Sequence, residues 1–160
     1  MAEPIPKIYA DTSVFGGVFD EEFGAASRLL FDAIRAGTFH LVTSQMVREE
    51  IAQAPQSVRD LFQEMARDAV IAPVTADALR LRAAYHQAGI LSARWGEDAL
   101  HVALASVSGC DMIVSWNFKH IVHYQKIPLY NAVNTLQGLG TIRIYSPLEV
   151  VGYGNQEENL

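Results

Sequence analysis

Apolar residues in this chain fall into two patterns, short unbroken runs and longer stretches spaced at three and four, and the two alternate along the sequence. The first run, Lys7-Ile8-Tyr9-Ala10, comes after Pro4 and Pro6 and leaves through Thr12, Ser13 and Gly16-Gly17, which predicts a strand ending at Asp11. Asp20-Glu21-Glu22 are acids suited to a helix amino end, and Ala26, Leu29, Leu30, Ala33 and Ile34 continue at helical spacing until Gly37. Phe39 to Thr43 reads as the second strand. Ser44 offers an N-cap for a helix running through Gln53, which Pro55 ends. Ser57 with Asp60 resembles a capping box, and Val58, Leu61, Phe62, Met65 and Ala66 form one apolar face of the next helix.

Val70 to Val74 fits a short strand or an extended link. Thr75 caps a further helix, with Leu79, Leu81 and Ala84 partly inward and Gly89 as its stop. Arg94-Trp95-Gly96-Glu97-Asp98 leads into a helix that turns Leu100, Ala103, Leu104 and Val107 inward and stops at Gly109. Met112 to Ser115 is a wholly apolar strand up to its last residue. Pro128 breaks the stretch beyond it, Ile142 to Ile144 is a last strand, and Pro147 to Val150 packs after that strand. Strands alternating with helices predict an α/β fold, an α/β/α sandwich whose mostly parallel central sheet is covered on both faces. We expect a single domain over residues 1–151 and a flexible, polar C-terminal tail over 152–160.

Composition narrows the functions open to such a fold. At 160 residues the chain suffices for one complete core, since a domain of about 150 residues buries about 68–70% of its unfolded surface. Half the residues are hydrophobic and 19% are charged, which excludes a chain too polar to fold. The net charge of -6 argues against bulk electrostatic binding of nucleic acid, so any such contact is expected to be local or metal-mediated. Cys110 is the only cysteine, and neither a leader-like start nor a bilayer-length apolar stretch is evident, so no membrane association and a cytoplasmic location are expected.

Three acids occupy comparable places. Asp11 ends the first strand, where open α/β sheets form a crevice; Glu50 lies on the helix that Ser44 opens; Asp98 lies in the first turn of the helix after Trp95. Asp98 and His101 share a helix face turned away from the apolar positions. Carboxylates brought together raise one another's pKa unless a hard cation takes up the charge, so convergent acids imply Mg²⁺ or Mn²⁺. No Cys or His cluster has the spacing of a structural zinc site. Each acid also has a simpler reading: Asp11 as a turn residue, Glu50 as a solvated helix residue, Asp98 as a helix amino-end acid. His101 reads as a partner on the site face, His120 and His123 as surface groups, Trp95 and Trp116 as packing residues.

Four segments carry a family resemblance. They are Tyr9-Ala10-Asp11-Thr12-Ser13-Val14-Phe15, Ser44-Gln45-Met46-Val47-Arg48-Glu49-Glu50-Ile51, Asp98-Ala99-Leu100-His101-Val102-Ala103-Leu104-Ala105 and Ile113-Val114-Ser115-Trp116-Asn117-Phe118-Lys119-His120-Ile121. In that order they resemble the PIN-domain ribonucleases, and among them the VapC-type toxins of toxin–antitoxin pairs. The resemblance implies a PIN-like fold in which Asp11, Glu50 and Asp98 hold Mg²⁺ or Mn²⁺ and activate water to cleave RNA, with a cognate antitoxin and a homodimer as partners. Glu50 is preferred to Glu49 because the family's acid directly precedes an aliphatic residue, here Ile51. Many relatives have a fourth acid where this chain has Asn117, which puts a second metal site in doubt. Ser13 and Asn117 are candidates for orienting the phosphate, and Arg94, Lys119 and His120 for touching the flanking backbone. The alternative is a catalytically weakened PIN-like module that mainly binds a partner protein or RNA. A phosphohydrolase with Asp11 as nucleophile ranks below both, since Ser13 stands where a second Asp would be needed.

Overall fold

A strand buried on both faces must be apolar along its whole length, and Ile8, Tyr9 and Ala10 of β1 (Lys7–Ala10) are all fully buried. The structure, a computed structural model, describes residues 4–158. In it β1 is the middle of a five-stranded sheet, flanked on one side by β2 (His40–Ser44) and β3 (Val70–Ala72) and on the other by β4 (Met112–Val114) and β5 (Arg143–Tyr145). The order is β3-β2-β1-β4-β5 and every pairing is parallel. Tyr9 pairs with Val42 on one side and Ile113 on the other.

The connections are helical. They are α1 (Thr12–Gly17), α2 (Gly24–Arg35), α3 (Gln45–Ile51), α4 (Gln56–Ala66), α5 (Ala76–Gln87), α6 (Gly96–Val107), α7 (Ile127–Leu136) and α8 (Pro147–Glu158), with a 3₁₀ turn at Ala93–Trp95. From β1 the chain steps outward through β2 to β3, then returns past β1 to β4 and β5. Right-handed crossovers therefore put α1–α4 on one face of the sheet and α5–α7 on the other. Phe15, Phe31 and Phe62 meet within the first layer, at ring separations of 5.0 and 5.3 Å from Phe15. Tyr85 and Tyr130 meet edge to face at 4.9 Å in the second. The result is the expected α/β/α sandwich, with all five strands parallel.

Several expected details shift. Thr12 to Gly17 forms α1 directly behind β1 instead of an open exit loop. The next helix begins at Gly24, because Asp20 turns back to accept hydrogen bonds from the backbone of Glu22 and Phe23, and Leu29 faces solvent. α4 starts at Gln56 behind Pro55, so Ser57 is not its cap. Pro128 stands second in α7 instead of breaking the chain, which its missing N–H allows in a first turn. The segment 147–150 opens α8, capped reciprocally by Ser146 and Glu149, and α8 takes in residues 152–158 of the expected tail. Gly37, Gly89 and Gly109 end their helices at positive φ, as the sequence predicts.

Candidate active site

The strand order reverses between β1 and β4, and a crevice opens at the carboxyl ends of strands on either side of such a reversal. Register places Ala10 beside Val114, so Asp11 and Ser115 stand side by side just beyond the sheet. Asp11 is only 4% exposed. Its carboxylate is held on both oxygens: Ser13 Oγ donates to Oδ1 at 2.6 Å and Ser115 Oγ to Oδ2 at 2.5 Å. Those hydroxyls are themselves fixed, because the backbone N–H of Trp116 donates to Ser13 Oγ and that of Asn117 to Ser115 Oγ, both at 2.9 Å. Asp11 is thus held in place by two strand ends distant in sequence.

A second rail runs beneath it. Ser44 caps α3 by accepting from Val47 N and lies 2.8 Å from the Tyr9 hydroxyl, which lies 2.9 Å from His101 Nδ1. On the other side of the ring, His101 Nε2 stands 2.8 Å from Glu50 Oε1. That oxygen is buried and receives no other hydrogen bond. Burial alone would lower the His101 pKa, but contact with Glu50 and the negative charges of Asp11, Glu50 and Asp98 outweigh it and hold it above its ordinary value. Asp11 is pushed above the usual carboxylate range by burial, against the lowering effect of His101 and the two serines, and the charge of Glu50 adds to the rise. Of the two carboxyl groups, the partly buried Glu50 is in contact with His101 and the buried Asp11 acts on it through its charge.

Asp98 is placed differently. Its Oδ2 is 2.7 Å from His120 Nδ1, and His120 is buried instead of lying at the surface as expected. The Tyr130 hydroxyl donates to the carbonyl of His120, and the ring of Trp95 packs 4.4 Å from its imidazole. Arg94 and Lys119 lie over the same Trp95 ring at 4.8 and 5.0 Å, so two exposed cations gather beside Asp98. Asn117 uses its side-chain oxygen to accept from His120 N at 2.9 Å. Glu49, the rival to Glu50, points to solvent. Trp116 donates to Ser27 Oγ and stacks on Phe23 at 4.3 Å, a packing role.

Of the predicted acids, Glu50 contacts His101 directly and Asp11 reaches it only through its charge. Asp98 acts on His101 through its charge while its carboxylate is bound to His120. Among the described residues no group of three or more His, Cys, Asp or Glu is placed to hold a metal ion. The donors Asp11 and Glu50 still suit a hard divalent cation, because both are carboxylates, they repel, and the buried Glu50 oxygen has His101 as its one neighbour of opposite polarity. Ser115, Tyr9 and Ser44 join the site without having been expected there. The usable signal is that Tyr9 and Ser44 lie on β1 and β2, which lead into Asp11 and α3, and that Ser115 directly follows β4.

The PIN domain family model matches residues 7–119, well over half of the chain. The chain belongs to the PIN domain family. Two solved structures share the fold of this PIN domain at low sequence identity. A chain of VapBC2 from Rickettsia felis, bound to a DNA fragment from their promoter, matches with a TM-score of 0.55 and 11% identity, over 88% of this chain and 98% of that one. A chain of FitAcB from Neisseria gonorrhoeae matches with a TM-score of 0.54 and 11% identity, over 88% and 97%. No curated protein matches the sequence.

Proposed function

We propose that this PIN domain is a Mg²⁺- or Mn²⁺-dependent endoribonuclease that hydrolyses RNA phosphodiester bonds, and the toxin of a toxin–antitoxin pair. The observation that carries the reading is the buried Asp11 carboxylate at the strand reversal, with Glu50 close enough for its charge to raise the Asp11 pKa. Asp11 and Glu50 would hold the cation, with Asp98 as the third expected acid. When bound, it would lower the pKa of a water and neutralise charge on the scissile phosphate. Ser13 and Ser115 keep Asp11 in one orientation, so no reorganisation is required on binding. His101, tied to Tyr9 and through it to Ser44, fixes the position of Glu50. Arg94 and Lys119, collected on Trp95, supply positive charge for the flanking phosphates.

An antitoxin partner is supported by fold neighbours that come from two-component complexes. A homodimer is carried with the proposal and is read directly by light scattering. A reducing, cytoplasmic setting suits the lone buried Cys110, whose thiol burial pushes up to about 12. No helix among the described residues is long and apolar enough to cross a membrane.

The direct test is Mn²⁺-dependent cleavage of RNA by the Asp11→Asn protein. Loss of one ligand should reduce the rate by at least about a hundredfold while the circular dichroism spectrum stays native. Undiminished cleavage would remove the mechanism. A second reading, a weakened module acting by binding, is favoured by one set of contacts: Asn117 and Asp98 are both engaged at His120, leaving Asp11 and Glu50 for a cation. Metal-independent partner binding with no cleavage of any RNA offered would select it.

A further inference from the structure

From Ser115, which holds Asp11, to His120, which holds Asp98, the chain crosses between two of the candidate acids in a single turn, 116–119. The backbone of that turn is pinned at both ends. Trp116 N donates to Ser13 Oγ and Asn117 N to Ser115 Oγ, while Asn117 accepts from His120 N on its side-chain oxygen and from Ile121 N and Val122 N on its carbonyl. Trp116 turns inward, stacked on Phe23 and donating to Ser27, and Ile121 is fully buried. Within residues 115–121, Phe118 and Lys119 are the two that face solvent. Phe118 is 49% exposed, one hydrogen-bonded residue away from the serines that grip Asp11.

An apolar ring on a slack turn folds back to bury itself, because exposure costs free energy in proportion to area. Here the pinned backbone holds the ring out, and the Trp116 ring supports it at 6.1 Å in an edge-to-face contact. Next in the chain, Lys119 lies over the Trp95 ring at 5.0 Å, and Arg94 lies over the same ring at 4.8 Å. The rim of the candidate site thus offers an open aromatic ring followed by two cations. Single-stranded nucleic acid offers the complement, base faces alternating with phosphates. An apolar peptide would cover the ring and leave the cations unmatched, and a duplex keeps its base faces stacked inside. We propose that Phe118 is a substrate-stacking residue: a base close to the scissile phosphate of a single RNA strand packs on its ring while Lys119 pairs with the neighbouring phosphate. The proposal rests on the reading of this chain as acting on RNA, and adds that the strand is single and where one of its bases lies.

Binding and cleavage are tested apart. Binding of a short fluorescein-labelled oligoadenylate, and of the same oligomer with abasic positions in place of its bases, is measured by anisotropy in EDTA on the Asp11→Asn background, where no cleavage is needed. Adding Phe118→Leu should weaken binding of the intact oligomer about tenfold, the size of one lost stacking contact, and leave the slope of log K against log[salt] unchanged. Phe118→Trp should restore the affinity. Lys119→Gln should instead reduce that slope by about 0.7, the value for one phosphate contact on a single strand. The abasic oligomer should bind more weakly and be indifferent to Phe118→Leu. The side chain is exposed, so an unchanged melting curve is expected, and Leu136→Ala, an equally apolar exposed position on α7, serves as the control without effect. Unaltered affinity in Phe118→Leu would overturn the stacking role, as would an equal loss for intact and abasic oligomers, or Phe118-dependent binding of an apolar peptide without binding of oligoadenylate. Phe118-dependent oligoadenylate binding by a wild-type protein that cleaves no RNA with Mn²⁺ would keep the stacking role and remove the nuclease.

Discussion

Asp11 pays for its position with an unfavourable buried charge. Its folded pKa lies above its unfolded value of 3.8, so the stability it contributes is complete below that value and is lost as pH rises through the folded pKa. His101 has the same sign: its stabilising contribution is complete below its ordinary 6.5 and is lost as pH rises through its raised folded value. Metal-free protein should therefore lose stability as the solution is made alkaline beyond neutrality. Asp11→Asn should melt a few degrees above the wild type at pH 7 in EDTA, with the gain shrinking toward pH 4, as scanning calorimetry would read. A mutant that melts lower at pH 7 by the same margin would mean that the carboxylate is satisfied as it stands. Asp11 and Glu50 are legible from sequence because each closes or comes after a strand. The Ser115–Asp11 and Asp98–His120 contacts are not, since they depend on strand register and on a loop 22 residues away.

The elements carry these contacts by close approach. A Cβ on Gly17 would fall 2.8 Å from both Ser27 Oγ and Trp116 Nε1, the two atoms that hydrogen-bond α2 to the loop after β4. Gly17→Ala must separate them, and should cost about 1–3 kcal/mol in chemical denaturation with the slope unchanged. A neutral substitution would show that the loop carrying Trp116 and Asn117 is free to shift. Strands and helix stops are legible where apolar runs end in glycine. α1 escapes because six residues show no helical period, and α7 because proline reads as a break unless it stands in the first turn. The Ser146–Glu149 pair that opens α8 is a capping box in the sequence too, but only the short run from Pro147 to Val150 stands beyond it to suggest a helix.

At the scale of the whole molecule, an acidic chain gathers positive charge locally, Arg94 with Lys119 over the Trp95 ring. Composition can exclude bulk electrostatic binding, but only the fold can bring cations from separate segments over one ring. The parallel sheet is foreseeable from alternation alone, while the reversal of strand order that creates the crevice is a property of topology. The proposed function depends on whether Asp11 and Glu50 take up a hard cation. Isothermal titration of Mn²⁺ into wild-type, Asp11→Asn, Glu50→Gln and Asp98→Asn proteins addresses this most directly. Saturable binding by the wild type that is abolished by the first two changes, and weakened less by the third, is the predicted result; heats of dilution alone in the wild type, or binding indifferent to Asp11, would contradict it.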